Sequence, residues 1–363
     1  MALESLPWGI YIACDIFLGG AAGGAFVVGA VQDLRGKSRQ VAKFAAFVAI
    51  AAVVFQLVSL FLDLGQPLRA LNAFDRPTGS VMSFGTWTIS AFAIIAIVYV
   101  SFFFARFPWS KSNGGRKLFA VLGIIVGFML MLYTGVLLGA NFARPLWTQA
   151  LLPLLFTASG VSTGIALVQA APRLMSRKSG PDLAEETKGL ESVNLILLGV
   201  QSLTVILMVI NLSNSTSDAS QSISTWLTGY LSLDFWAGYV AIGLAIPILL
   251  YVGVLIAWRN NSKSSALGIA LAGILIPIGG FLLRYITLGA GLNIDFLQSI
   301  GVVTQTVVSF GPTNTELLYT AGLFITLAIV YVIGAFVLLG SRSRSSGVTT
   351  REVTSHDSGS LRP

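Results

Sequence analysis

Cysteine and histidine are all but absent from this chain: its 363 residues include one of each, Cys14 and His356. A single thiol excludes a disulfide framework, a thiolate metal site and an iron–sulfur cluster held by this chain alone. Haem b in a membrane bundle usually takes axial histidines, and His356 lies in a polar C-terminal stretch outside every apolar segment. Any redox role therefore rests on a partner subunit or on an organic carrier such as a quinone. Charge is scarce too. Charged residues make up 10% of the chain, against about 25% in a soluble domain, while 55% are hydrophobic and the mean hydropathy is +0.82. A polytopic, all-α membrane protein follows. The net charge of +7 then says nothing about nucleic acid; its meaning lies in its distribution among loops. The N-terminus has no basic region ahead of its apolar core and no small-residue cleavage site after it, so it reads as a retained first helix.

What is present is apolar length. A spanning helix needs about 20 mostly apolar residues. Nine stretches qualify, near 10–31, 41–62, 84–105, 117–140, 147–171, 193–211, 232–257, 266–289 and 318–340. The fourth and fifth are joined by only a few residues, as in an antiparallel helical hairpin. Basic residues follow the odd-numbered helices: Arg35, Lys37 and Arg39; Arg106, Lys111, Arg116 and Lys117; Arg173, Arg177 and Lys178; Arg259 and Lys263; Arg342 and Arg344. The alternate loops at 212–231 and 290–317 carry almost none, which puts the N-terminus outside and the C-terminus in the cytoplasm. The expected organisation is a four-helix half over 1–145, a second over 146–291, a loop and ninth helix over 292–340, and a Ser/Thr/Arg-rich disordered tail over 341–363.

The most informative stretch is the first helix, where a carboxylate sits about two turns inside an apolar run. Tyr11, Asp15, Gly19 and Gly23 fall four residues apart and share one slowly drifting face. Glycines at that spacing let another helix approach closely, so the face looks into a bundle and not to lipid. An intramembrane Asp there is a functional group by default, and the alternative is a structural Asp bonded to a neighbouring helix.

Two further stretches carry polar chemistry. Asp63, at the end of the second helix, is followed by Arg69, Pro67, Arg76 and Pro77. Such a loop either docks a partner or anion, or is interfacial with snorkelling charges. On the fourth helix Tyr133 and Asn141 are eight residues apart, broadly on one side at different depths. A phenol and an amide can donate to a quinone carbonyl, and Tyr can pass a proton; the alternative for Tyr133 is packing or anchoring. Arg144, beside Pro145, suits an interfacial anchor. Glu191, Asp234 and Arg284 lie at or inside later helices, where they mark either a proton path or a structural ion pair. Pro153, Pro247 and Pro277 are expected to bend their helices.

The segments LGGAAGGAF, LDLGQPLRA with SVMSFGTW, YTGVLLGANFARPLWTQALLPLLFTASGVSTGIAL, and the pair FWAGYVAIGLAIPILL and GGFLLRYITLGAG together span roughly residues 8–291. In combination they resemble the NrfD / polysulfide-reductase membrane-subunit family, the PsrC-type quinone-reactive anchors. Family members usually show Pro and Trp where this chain has Val81 and Phe84. The resemblance implies a haem-free integral subunit of a respiratory oxidoreductase complex in a prokaryotic cell membrane. It would exchange electrons between a quinone (menaquinone or similar) and a ferredoxin-like iron–sulfur subunit on the outer face, serving a molybdopterin or cytochrome subunit. The family's quinone site, toward the outer side of the first four helices, maps onto Tyr11 or Asp15 and Tyr133. Some relatives use a His near the first helix, and Asp15 is its substitute here. Coupling of the quinone chemistry to proton translocation is open, and a secondary transporter or ion-translocating subunit without redox function is the rival class, since buried charges and broken helices occur there too.

Overall fold

The computed structural model describes residues 8–63, 72, 74, 79–142, 144–179, 186–215, 217–257, 262–292 and 311–340. Nine of the helices among them are long and apolar enough to cross a membrane. They are α1 (Ile10–Leu34), α2 (Arg39–Asp63), α3 (Val81–Ser101), α4 (Asn113–Gly139), α5 (Leu152–Ser179), α6 (Leu190–Ser213), α8 (Asp234–Leu255), α9 (Ser262–Leu292) and α10 (Asn314–Leu339). A shorter α7 (Ser217–Leu227) lies between α6 and α8. No strand occurs among the described residues. The tail at 341–363 lies outside them.

Helix ends fall where local hydrogen bonding dictates and not where hydropathy stops. The Ser112 hydroxyl accepts from the Gly115 amide at 3.2 Å and starts α4 early. A capping box of Thr313 and Glu316 likewise starts α10 before its apolar run. The connection from α4 to α5 is longer than expected, because residues 140–142 and 144–151 lie in turns and irregular chain instead of extending either helix. Pro153 therefore sits in the first turn of α5, where a missing N–H costs nothing, and does not bend the helix. Pro247 follows a π-helical stretch, Asp234–Ala245, that opens α8, and Pro277 lies inside α9 as expected.

The bundle is built around α1, whose apolar span is buried, only Tyr11, Val31 and Leu34 near its ends being half-buried, whereas α10 is the least enclosed span. The sequence explains this. A helix that is apolar all round, with small residues on several faces, has no stripe to turn toward solvent or lipid. The four glycines of its centre serve four different neighbours. A Cβ on Gly19 would come 2.7 Å from the Gln56 amide nitrogen of α2, and one on Gly23 would come 2.7 Å from the Gly127 carbonyl oxygen of α4. A side chain at Gly20 would first meet the Arg284 guanidinium of α9 at 3.1 Å, one at Gly24 would meet Gly160 of α5, and Gly164 fits against Gly24 in return. The face inferred from the four-residue spacing is thus shared between α2 at Gly19 and α4 at Gly23.

Polar groups mark the two ends of the bundle. At the Leu34 end, Gly36 turns the chain at φ 69°, and Asp33 forms an ion pair with Arg116 while accepting from the Tyr99 hydroxyl at 3.0 Å. At the Ile10 end, Trp8 stacks on Trp147 with ring centroids 5.3 Å apart, and the Trp147 indole donates to the Thr287 carbonyl at 2.8 Å. The 140–151 segment is thereby tied across to α9.

Gly24→Ala is expected to lower stability by about 1–3 kcal/mol, because the Gly160 carbonyl cannot retreat from the added methyl. Gly199→Ala on α6, where a Cβ meets nothing within 4 Å, is the control and leaves stability unchanged or slightly raised. Thermal unfolding of the two variants in detergent checks this.

Candidate functional site

Asp15 lies in the Ile10-end third of α1 and is 6% exposed. Helix α2 runs antiparallel to α1, and its only amide in the apolar stretch Ala46–Phe61 is Gln56, which packs over Gly19. Gln56 stands beside the Asp15 carboxyl. Yet Asp15 Oδ1 and both amide atoms of Gln56 are buried without hydrogen-bond geometry to any described residue. Buried polar atoms without partners are rare in native proteins and cost about 1–3 kcal/mol each. The three lie side by side, with Gln56 near enough to the Asp15 carboxyl to act as its hydrogen-bonding neighbour after a small adjustment.

The third wall comes from α4. Gly23 and Gly127 fix the crossing of α1 and α4; eight residues back along α1 lies Asp15, and six residues on along α4 lies Tyr133. Tyr133 is buried and an electrostatic neighbour of Asp15. Its ring lies over Gly85 of α3, where any side chain would overlap it. The Gly-Thr-Trp stretch of α3 therefore supplies the space that the phenol fills. A carboxyl, an amide and a phenol thus converge from three helices on one buried spot.

The remaining residues singled out by sequence fall in different places. Tyr11, one turn nearer the Ile10 end than Asp15, is half-buried and has Asp63, Glu316 and Tyr319 as electrostatic neighbours. Asp63 ends α2, half-buried, and is an electrostatic neighbour of Asp15. Arg69 and Arg76 lie outside the described residues. Asn141 falls beyond the end of α4, where its amide folds back toward the Leu138 carbonyl at 3.4 Å. Arg144 donates to the Leu292 carbonyl at 3.4 Å, and partial burial pushes its guanidinium below its usual value.

Glu191, Asp234 and Arg284 are spread over the height of the bundle. Glu191 forms a buried ion pair with Arg173 and accepts from the Gly189 amide at 2.8 Å, the arrangement of a structural pair. Asp234 opens α8 at the opposite end. Arg284 is wholly buried and bonds the Ser159 hydroxyl at 2.5 Å and the Gly280 and Phe156 carbonyls at 2.9 and 3.0 Å, with its guanidinium 4.8 Å from the Phe156 ring. Backbone carbonyls and an aromatic face, rather than a carboxylate, hold that charge.

Sequence reasoning passed over Gln56. The signal was there: an amide in the middle of an apolar span is as anomalous as an Asp. An apolar cleft of about 420 Å³ also opens between α1, α2, α9 and α10, lined by Phe17, Leu18, Ala52, Pro277, Phe281 and Phe324. Asp15, Gln56 and Tyr133 do not line this cleft, although Leu18, which does, lies one turn from Asp15 on a neighbouring part of the helix face.

The comparisons with known proteins agree with this architecture. A family model described as "Polysulphide reductase, NrfD" matches residues 2–295. A polysulfide reductase polypeptide of Wolinella succinogenes is 26% identical over 314 residues, covering 79% of this chain and 95% of that protein. The Hdr-like menaquinol oxidoreductase integral membrane subunit of Archaeoglobus fulgidus is 24% identical over 356 residues, 93% and 86% of the two proteins. A selenate reductase polypeptide of Mesobacillus selenatarsenatis is 22% identical over 372 residues, 90% and 84%. The family match ends before α10 begins.

Gln56→Leu tests whether this polar spot is unsatisfied in the free protein. Replacing the orphaned amide by an apolar side chain of similar size is expected to raise the stability of ligand-free protein by about 1–2 kcal/mol. A lower melting temperature would mean that the amide is bonded after all.

Proposed function

We propose, from the premise that the chain belongs to the polysulphide reductase NrfD family, that it exchanges electrons between a membrane quinone and an iron–sulfur partner. Members of this family are multi-pass membrane subunits of oxidoreductase complexes, and this chain is one of them. The observation that carries the finer reading is the trio of buried, unpartnered atoms on Asp15 and Gln56, facing Tyr133.

Those atoms fit a quinone headgroup, which offers two opposed oxygens that are acceptors when oxidised and donors when reduced. A bound quinone supplies chemistry of two electrons and two protons. The Gln56 amide can donate to a carbonyl oxygen or accept from a hydroxyl through its own oxygen, so it serves both states. The Tyr133 phenol offers the same versatility from α4. Asp15 is the group that gains or loses a proton, the general acid–base role. The glycine-lined contacts of α1 keep water from its other faces. The Archaeoglobus relative's description as a menaquinol oxidoreductase subunit supports a quinone of that kind.

The partner is an iron–sulfur protein of ferredoxin type, docked at the Ile10 end, because the pocket lies nearest that end. It would in turn serve a molybdopterin or cytochrome subunit. The loop bearing Arg69 and Arg76, with Asp63 and Arg144, is its docking surface in this reading. The clustering of Arg35, Lys37, Arg39, Arg116 and Lys117 at the Leu34 end supports a reading with that end in the cytoplasm and the docking surface outside, in the cell membrane of a prokaryote.

Asp15→Asn is expected to leave the complex assembled but to reduce quinone-linked turnover by about two orders of magnitude or more. The measurement is quinol oxidation or quinone reduction by the purified complex, with its polypeptide make-up checked on the same sample. Wild-type turnover in that variant would end the proposal.

A further inference from the structure

We propose that Asp63 and Glu316 form the proton route between Asp15 and the Ile10-end surface, so that α10 takes part in the chemistry of the pocket. The inference rests on the quinone reading and extends it to a helix outside the family match.

Register along the helices sets the geometry. The Gly19–Gln56 contact aligns α1 with α2 at the level of the pocket. Seven residues further along α2 on the same face is Asp63, about 10 Å nearer the Ile10 end. Tyr11 reaches the same level on α1. One step beyond, Glu316 Oε1 lies 3.3 Å from the Cβ position of Gly9, the residue before α1 begins. The seating of α10 is fixed along its length: Phe324 packs on Phe17 with centroids 5.9 Å apart, and the Gln40 amide donates to the Leu338 carbonyl at 2.8 Å. Electrostatic neighbours follow the same order, Asp15 with Asp63 and Asp63 with Glu316.

Burial and bonding suit a relay. Asp15 is buried with an unpartnered oxygen, while Asp63 and Glu316 are half-buried. Neither Asp63 nor Glu316 is in an ion pair among the described residues, whereas the carboxylates at the Leu34 end, Asp33 and Glu191, are both locked to arginines. In Glu316, Oε2 is occupied by the Thr313 amide at 2.7 Å, which leaves Oε1 facing Gly9. Among the described residues, Tyr11, Cys14 and Tyr319 are further titratable groups at this level.

The proton balance is simple. In quinol oxidation, ionised Asp15 accepts the proton of a headgroup hydroxyl as the electron pair leaves for the iron–sulfur partner. Asp15 then passes that proton through intervening water to ionised Asp63, which passes it to Glu316 and so to bulk water. Asp15 is thereby ionised again for the second proton. Quinone reduction uses the same steps in reverse.

The test needs no turnover. The full-length protein in lipid nanodiscs, without quinone, is transferred to heavy water at a pH low enough to protonate Asp15. Infrared spectroscopy follows deuterium exchange of that carboxyl, assigned by its loss in Asp15→Asn. Exchange is expected to be fast in the native protein and roughly tenfold slower or more in both Glu316→Gln and Asp63→Asn. Glutamine keeps the capping box at that position, so the α10 start is preserved. Added acetate, a small mobile proton carrier, restores the rate. Native exchange in Glu316→Gln would overturn the role of α10, and native exchange in Asp63→Asn would remove that residue from the route. Slowing that acetate does not restore would show a structural effect and overturn the relay. Binding of a quinone-site inhibitor to the native protein tests the quinone reading separately, since its absence would end that reading whatever the exchange rates.

Discussion

Close approach of backbones around α1 is the constraint on which the rest of the molecule depends. Gly19 admits α2, Gly23 admits α4, Gly24 admits α5, and Gly20 leaves room for Arg284 of α9. In a bilayer no hydrophobic force draws apolar helices together, so such contacts rest on van der Waals packing and on small residues that permit it. The same contacts decide the chemistry. Because Gly19 meets Gln56 and Gly23 meets Gly127, the amide and the Tyr133 phenol arrive beside Asp15 from two different helices.

The buried charges divide into two kinds. Asp33 with Arg116 and Tyr99, and Glu191 with Arg173, are matched pairs at one end, and Arg284 is held by carbonyls, a hydroxyl and an aromatic face. All of these complete their bonding within the chain or nearly so, as an intramembrane charge must. Asp15 and Gln56 do not. Arg284 Nε, Ser162, Thr163 and Tyr239 also hold buried polar atoms without a partner among the described residues, so what sets Asp15 and Gln56 apart is a carboxyl beside an amide with the Tyr133 phenol as an electrostatic neighbour. The contrast between the two ends separates architecture from function more sharply than burial alone.

The nine spans were legible because lipid-facing length is written in local composition. Asp15 and Tyr133 were legible for a related reason, since polar residues inside apolar runs announce themselves. Helix ends were less so: Ser112 and the Thr313–Glu316 box move the starts of α4 and α10 by side-chain bonds that hydropathy does not see. The π-helical opening of α8 left no signal in a run that reads as ordinary apolar helix. Arg284 advertised a need for a partner but not its solution, because backbone carbonyls are the same in every sequence. Glu316 was invisible for a tertiary reason. Only the seating of α10 against α1 and α2 brings it to Gly9, some 300 residues away along the chain.

The central claim is that the quinone headgroup sits between α1, α2 and α4. Photolabelling of the native complex with an azido-quinone, mapped by peptide mass spectrometry, tests it most directly. The account predicts label on the peptides around Asp15, Gln56 and Tyr133, displaced by unmodified quinone. Displaceable label confined to the peptides around Arg284, or to the apolar cleft at Phe281 and Phe324, would contradict it.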